Sequence, residues 1–267
     1  MSGISPNNDV LNWGRTARLI AKLGALADGL PAISRMTSYG EVVSSILSGK
    51  QHQLADEGAY FLTRTPTIGT GIAGVTSLAT FTAASPFAIV YNSNPVGGKN
   101  IWLDYLQLTV TATAASTTSL FLATTIDSTQ RYSSAGAGGY GTNIATILAG
   151  PNPTNMGSSS SASGALVYAG ALVAIAASPN VRTLCNKLVS VQIPVVLDQY
   201  TLNFGACDSA STVSNSRVAL SAAVPTAVTV PHPPVCIAPG SSFLLYYYGA
   251  AMGAAPSFEL EIGHVER

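Results

Sequence analysis

The chain has 267 residues, 12 basic and 12 acidic side chains, and a formal net charge of zero. Only 9% of its residues are charged, against roughly 25% in an ordinary soluble domain, and the absence of a basic block argues against direct nucleic-acid binding. A neutral chain with so few charges tends to self-associate, so the composition points to a surface largely covered by other subunits, with a secreted β protein rich in surface Ser, Thr and Asn as the plain alternative.

Residues 1–14 read as an irregular lead-in containing Pro6, Asn7, Asn8 and Gly14. They lack the basic stretch followed by an apolar run that marks a secretory signal. From Arg15 to Leu30 the spacing predicts a helix. Leu19, Leu23, Leu26 and Leu30 recur at steps of three and four, with Arg15, Arg18 and Lys22 elsewhere on the wheel. Gly29 and Pro31 are stop signals. A second short helix is predicted over Ser38 to Leu47, with Val42, Val43, Ile46 and Leu47 apolar and Gly49 as its cap. Helices this short are marginal in water unless they pack on something. Leu19, Leu23, Leu26, Leu30, Val43, Ile46 and Leu47 are therefore candidate interface residues.

The first 64 residues carry six basic and five acidic side chains, whereas residues 65–235 carry only five and four. That contrast predicts an N-terminal arm over 1–64 and a β body over 65–267. The glycines of "GTGIAG" at 69–74 do not match a dinucleotide-binding pattern, since no βαβ context follows. They read as a hinge between arm and body.

Beyond residue 75 the chain reads as strands bounded by Gly, Pro, Asn and Ser clusters. "FAIVYNS" runs into the turn "NPVGGKN", and "IWLDYLQLTVTAT" resumes as a long strand with Trp102, Leu106, Leu108 and Val110 on one parity. "SLFLATTID", "KLVSVQIPVVL" and "YTLNFGACD" are further strands, and the Gly/Ser-rich stretches over 133–163 are long loops of the kind that serve interactions. The apolar run "GALVYAGALVAIAA" at 164–177 is too short to cross a bilayer as a helix and reads as strand and turn. "VCIAPGSSFLLYYYGA" is strand, turn, strand. In "SFELEIGHVE", Phe258, Leu260 and Ile262 alternate with Glu259 and Glu261, as in a strand with one solvated face. Roughly eight strands without alternating helices predict a mainly β fold, a β-sandwich of jelly-roll form.

No motif carries catalysis. His52, His232 and His264 lack metal-ligand spacing and are expected to be structural or surface side chains. Cys185, Cys207 and Cys236 are odd in number, without CxxC spacing, and are expected to be small buried thiols. "GSSSSASG" at 157–164 lacks the strand–turn–helix context of a nucleophilic serine. A glycosidase would need two carboxylates in one cleft, and Asp104, Asp127, Asp198 and Asp208 are the only acids of the central body. Turn and strand-end roles are expected for them. Tyr246, Tyr247 and Tyr248 form a run whose middle ring faces opposite to its neighbours. Such rings pack cores and interfaces or stack on sugars. The expectation is no enzyme, no cofactor and no metal.

Three stretches, "SGKQHQLADEGAYFLTRTPTIGTGIAG", "TTIDSTQRYSSAG" and "PPVCIAPGSSFLLYYYGAAMGAAPSFELEIGHVER", together resemble small structural proteins of tailed bacteriophages. The similarity is one of layout and composition from about residue 40 onward. It implies a β-rich virion component, a capsid cement or decoration protein seated as a homotrimer on major capsid subunits. Some proteins of that kind serve instead in the tail or as head fibres. In that alternative, Tyr246–Tyr248 and the 133–163 loops would recognise a host surface glycan. No membrane contact and no catalytic residue is implied.

Overall fold

The computed structural model describes residues 50–65, 69–74, 79–113, 119–129, 154–157, 162–170, 172, 180–190, 194–205, 227–249 and 254–267. The helices expected over Arg15–Leu30 and Ser38–Leu47, with Leu19, Leu23, Leu26, Leu30, Val43, Ile46 and Leu47, lie outside the described residues, as do Cys207 and Asp208. The chain divides into units 1–50 and 51–267, and every described strand belongs to the second.

That second unit is mainly β. In chain order its strands are β1 (Tyr60–Arg64), β2 (Ile72–Ala73), β3 (Ala88–Asn92), β4 (Ile101–Ala112), β5 (Leu120–Asp127), β6 (Thr154–Asn155) and β7 (Ala165–Ala169). They continue with β8 (Val181–Ser190), β9 (Gln199–Phe204), β10 (Ala227–His232), β11 (Cys236–Ile237), β12 (Ser242–Tyr248) and β13 (Ser257–Glu266). The strands make two sheets. One runs β10-β9-β4-β13-β1-β6, with β11 on β4 and β2 on β13; the other runs β7-β3-β12-β5-β8. Four antiparallel pairs are nested, first strand with last: β1 with β13, β3 with β12, β4 with β9, and β5 with β8.

The alternation read in the sequence sorts side chains to the two faces of each strand. Leu106, Leu108 and Val110 of β4, Phe258, Leu260 and Ile262 of β13, and Phe243, Leu245 and Tyr247 of β12 all enter one core shared by the two sheets. At its centre Phe87, Tyr247 and Phe258 meet edge to face, with ring centroids 5.3 to 5.5 Å apart. That geometry suits the aromatic quadrupole.

Trp102 breaks the expected parity, since it is 45% exposed while Leu103 is buried. The register explains it. Gly263 faces Tyr105 and His264 faces Leu103, which leaves Asp104 as an extra residue. A bulge of this kind flips the alternation and turns two neighbouring side chains to one side. Ile101 and Leu103 therefore point inward before it, and Leu106 onward after it.

Two expectations about the N-terminal part need correcting. The compact unit begins at Gln51 rather than residue 65, because β1 is an integral strand between β13 and β6. Charge density misplaced that boundary: Arg64 lies on the solvated side of β1 and pairs with Glu261 at 3.0 Å. "GTGIAG" is not a hinge either. Ile72 is buried, β2 pairs with β13, and a Cβ on Gly71 would strike Thr111 and Ser257. Gly71 and Gly74 allow close approach to the neighbouring strands rather than motion.

The segment "KQHQLAD" forms the helix α1 (Lys50–Asp56). Gly58 has φ of 67° and donates its N–H to Ala55 O at 3.0 Å, while Ala59 N donates to Leu54 O at 2.9 Å. This paired closure is a Schellman stop, and its usual apolar contact is present, Ala59 against Leu54 and Val265.

Replacing Phe258 by Ala removes the ring that joins β13 to Phe87 and Tyr247. The expected loss is about 3–5 kcal/mol of stability, read as a lower midpoint in urea denaturation.

Candidate functional site

The outer face of the five-stranded sheet is apolar. Ile89, Tyr91, Ala123, Leu244 and Tyr246 form a second cluster there, with Leu166, Tyr168 and Tyr248 packed against it. A sheet apolar on both faces cannot stand in water on either. Part of the cover is local: Phe81 sits edge-on against Tyr246 and Tyr248, and Tyr246 donates its hydroxyl to Ala83 O at 3.1 Å. Toward one end of this face the cover thins. Tyr248 stacks on Phe121 with centroids 4.9 Å apart and planes 4° from parallel, and Phe121 pairs with Leu188 on β8. Phe81 and Leu188 are 36% and 42% exposed. Phe81, Tyr248, Phe121 and Leu188 thus form a half-exposed apolar strip of the kind that marks a contact surface.

The tyrosine run splits as its parity predicts. Tyr248 lies in the strip and Tyr246 lies beneath Phe81. Tyr247 is only 2% exposed, inside the core. Burial pushes its hydroxyl pKa up, and a Gly74 backbone contact offsets this only in part. Neither Tyr246 nor Tyr247 is a surface anchor or a sugar platform: Tyr246 is as buried as Tyr247, beneath Phe81, and the inward face of β12 belongs to the space between the sheets.

The described acids of the central body do not converge. Asp104, turned outward by the bulge and half-buried, accepts Gln51 Nε2 and Tyr60 OH, each at 2.8 Å. Asp198 accepts Val195 N at 2.8 Å and closes the turn before β9. Its carbonyl meets Val110 N, six residues along β4 from Asp104 and so about 20 Å away. Asp127 ends β5 in the other sheet and accepts Thr129 N at 3.0 Å. These are local turn and bulge roles.

Two histidines tie the sheets together. His232 of β10 donates from Nδ1 to Pro233 O at 2.7 Å, so its Nε2 accepts the Thr124 hydroxyl of β5 at 2.6 Å. Burial holds its pKa below the usual value, and the Pro233 contact offsets this only in part. His264 of β13 lies 3.3 Å from Ser163 Oγ and 3.4 Å from Glu266 Oε1, both through Nε2. Ser163 also donates to Glu266 Oε1, and Gly164 N donates to Oε2 at 3.1 Å. A Ser-His-acid hydrolase needs serine and acid on opposite ring nitrogens. Here both share Nε2, Nδ1 is buried without a partner, and the ring stacks on Phe61 at 5.5 Å. The cluster is a tie from β13 to the start of β7, not a catalytic relay. Burial alone would raise the Glu266 pKa, but hydrogen bonds from His264, Ser163 and Gly164 outweigh it and hold the carboxyl below its ordinary value.

The sequence reading missed this cluster, although strand parity carried the signal: His264 and Glu266 share the inward face with Phe258. His52 is exposed on α1. Cys185 and Cys236 are free thiols with pKa raised mainly by burial. Among the described residues no three His, Cys, Asp or Glu side chains gather as a metal site, and no helix is long and apolar enough to cross a membrane. Comparison with known protein families, curated proteins and solved structures finds no match to this chain.

Acid should weaken the fold in two steps. A base whose folded pKa is depressed supports the fold above its ordinary value, 6.5 for His232, and that support is lost as pH falls toward the folded value. A carboxyl with a depressed folded pKa behaves the same way below its ordinary 4.5, which places the Glu266 loss lower. Melting temperature followed against pH should show both steps, with His232→Asn flattening the first and Glu266→Gln the second.

Proposed function

We propose that this chain is a structural subunit of a tailed-bacteriophage virion, a capsid cement or decoration protein built on a jelly-roll β-sandwich. One observation carries the reading, the four nested first-with-last strand pairs. Rolling one long antiparallel hairpin into two sheets produces that nesting, with β1-β13-β4-β9 facing β3-β12-β5-β8. Jelly rolls of this kind serve in viral capsid and lectin domains. The low charge of the chain and its resemblance to virion proteins support the same reading.

The mechanism is adhesive. The strip of Phe81, Tyr248, Phe121 and Leu188 is covered by a second copy about a three-fold axis. Each Å² of apolar surface removed from water contributes roughly 25 cal/mol, and simultaneous contacts around a shell multiply the gain. Residues 1–49, with their apolar positions Leu19, Leu23, Leu26, Leu30, Val43, Ile46 and Leu47, grip the neighbouring capsid subunits.

Light scattering behind size exclusion should give three times 27.3 kDa, unchanged on dilution. Phe121→Lys with Leu188→Lys should reduce the mass to that of one chain, because lysines in a dry contact lose their hydration. Removing residues 1–49 should preserve the trimer and abolish co-sedimentation with capsid particles. A wild-type monomer at every concentration, or undiminished particle binding by the truncated chain, would overturn the reading.

A further inference from the structure

The outer face of the other sheet is chemically different. Where β1, β13, β4 and β9 lie side by side, two rows of outward side chains cross the strands. One row is Glu259, Thr109 and Gln199; the next is Arg64, Glu261 and Gln107. They line a trough of about 230 Å³. That is below the roughly 300–1,000 Å³ of pockets for drug-sized ligands and of a size for one sugar ring.

The polar groups of the trough are held in place from behind. Arg64 Nε contacts Glu261 Oε2 at 3.0 Å, and Tyr105 OH donates to Glu261 Oε1 at 2.6 Å. Gly69 N donates to Glu259. The Tyr105 ring lies across β13 at Gly263, where a Cβ would come within 2.5 Å of it and of the Tyr60 hydroxyl. Gln107 is different. Its amide nitrogen is 3.4 Å from both Gln199 Oε1 and Thr201 Oγ1, longer than the 2.7–3.2 Å of a good N–H···O bond. It is a positioned donor whose present partners satisfy it poorly, beside an exposed amide acceptor on Gln199.

We infer that this trough binds a neutral, hydroxyl-rich saccharide. Hydroxyls both donate and accept. They can give to Glu259 and Gln199 Oε1 while taking from Gln107 Nε2 and the Arg64 guanidinium. Charge narrows the class. Two carboxylates against one guanidinium leave the trough net negative, so uronates and other anionic sugars are repelled. The inference does not depend on the assembly reading, because the trough and the apolar strip lie on different sheets.

The test is NMR on the full chain, observing the side-chain amides of Gln107 and Gln199. Glucose, galactose, mannose and N-acetylglucosamine are the neutral probes, and glucuronate is the anionic one. At least one neutral sugar should shift both amides with millimolar affinity, and glucuronate should not. Gln107→Ala with Gln199→Ala should weaken that sugar at least tenfold, read by saturation transfer, with an unchanged melting temperature. Gln199→Leu alone, on an exposed side chain, should weaken it in the same direction and covers the case of a misfolded double variant. No response to any neutral sugar, equal binding of glucuronate, or undiminished binding by these variants would overturn the inference.

Discussion

The fold depends on β13. This strand lies between β1 and β4, pairing with β4 from Ser257 to Glu266 and with β1 from Glu261 to Val265. Its inward side chains Phe258, Leu260 and Ile262 fill the centre of the core, and its C-terminal end carries the His264–Glu266 tie to β7. The pairing joins residues about 200 positions apart, so the chain must close its longest loop before this strand is rewarded. Topologies with such distant contacts fold slowly. In the nested set the β1–β13 pair is the outermost.

Two faces of the same two sheets have opposite chemistry. The five-stranded sheet is apolar outside as well as inside, and Phe81, Tyr248, Phe121 and Leu188 stay half exposed on it. The larger sheet presents Thr, Gln, Glu and Arg outward. A strand assigns alternate side chains to opposite faces, so the division follows directly from the residues of β12 and β13. β12 is apolar at both parities, whereas β13 alternates until Gly263. One body therefore presents an apolar strip on one sheet and a polar trough on the other.

Buried polar groups add to the definition of the register. Thr124 meets His232 across the core, and Glu266 gathers Ser163 and two backbone N–H groups at the start of β7. Each leaves a costly unpaired group if the strands slip by one residue. They reinforce the alignment that the alternating apolar side chains of β13 already favour.

The sequence by itself determined the mainly β class, the alternation of Phe258, Leu260 and Ile262 against Glu259 and Glu261, and the opposed facing of Tyr247 and its neighbours. Those are local properties, set by strand periodicity and turn chemistry. It misread residues 50–74, because charge density is blind to whether a strand joins a sheet made by residues far along the chain. It missed the shifted parity at Trp102, because a bulge is visible only against its partner strand. Only the tertiary structure decided that Tyr247 is core, that Glu266 meets Ser163, and that Arg64, Gln107, Gln199 and Glu259 share one trough. Those residues sit on four strands, and pairing between strands is decided by the fit of whole faces rather than by any short stretch.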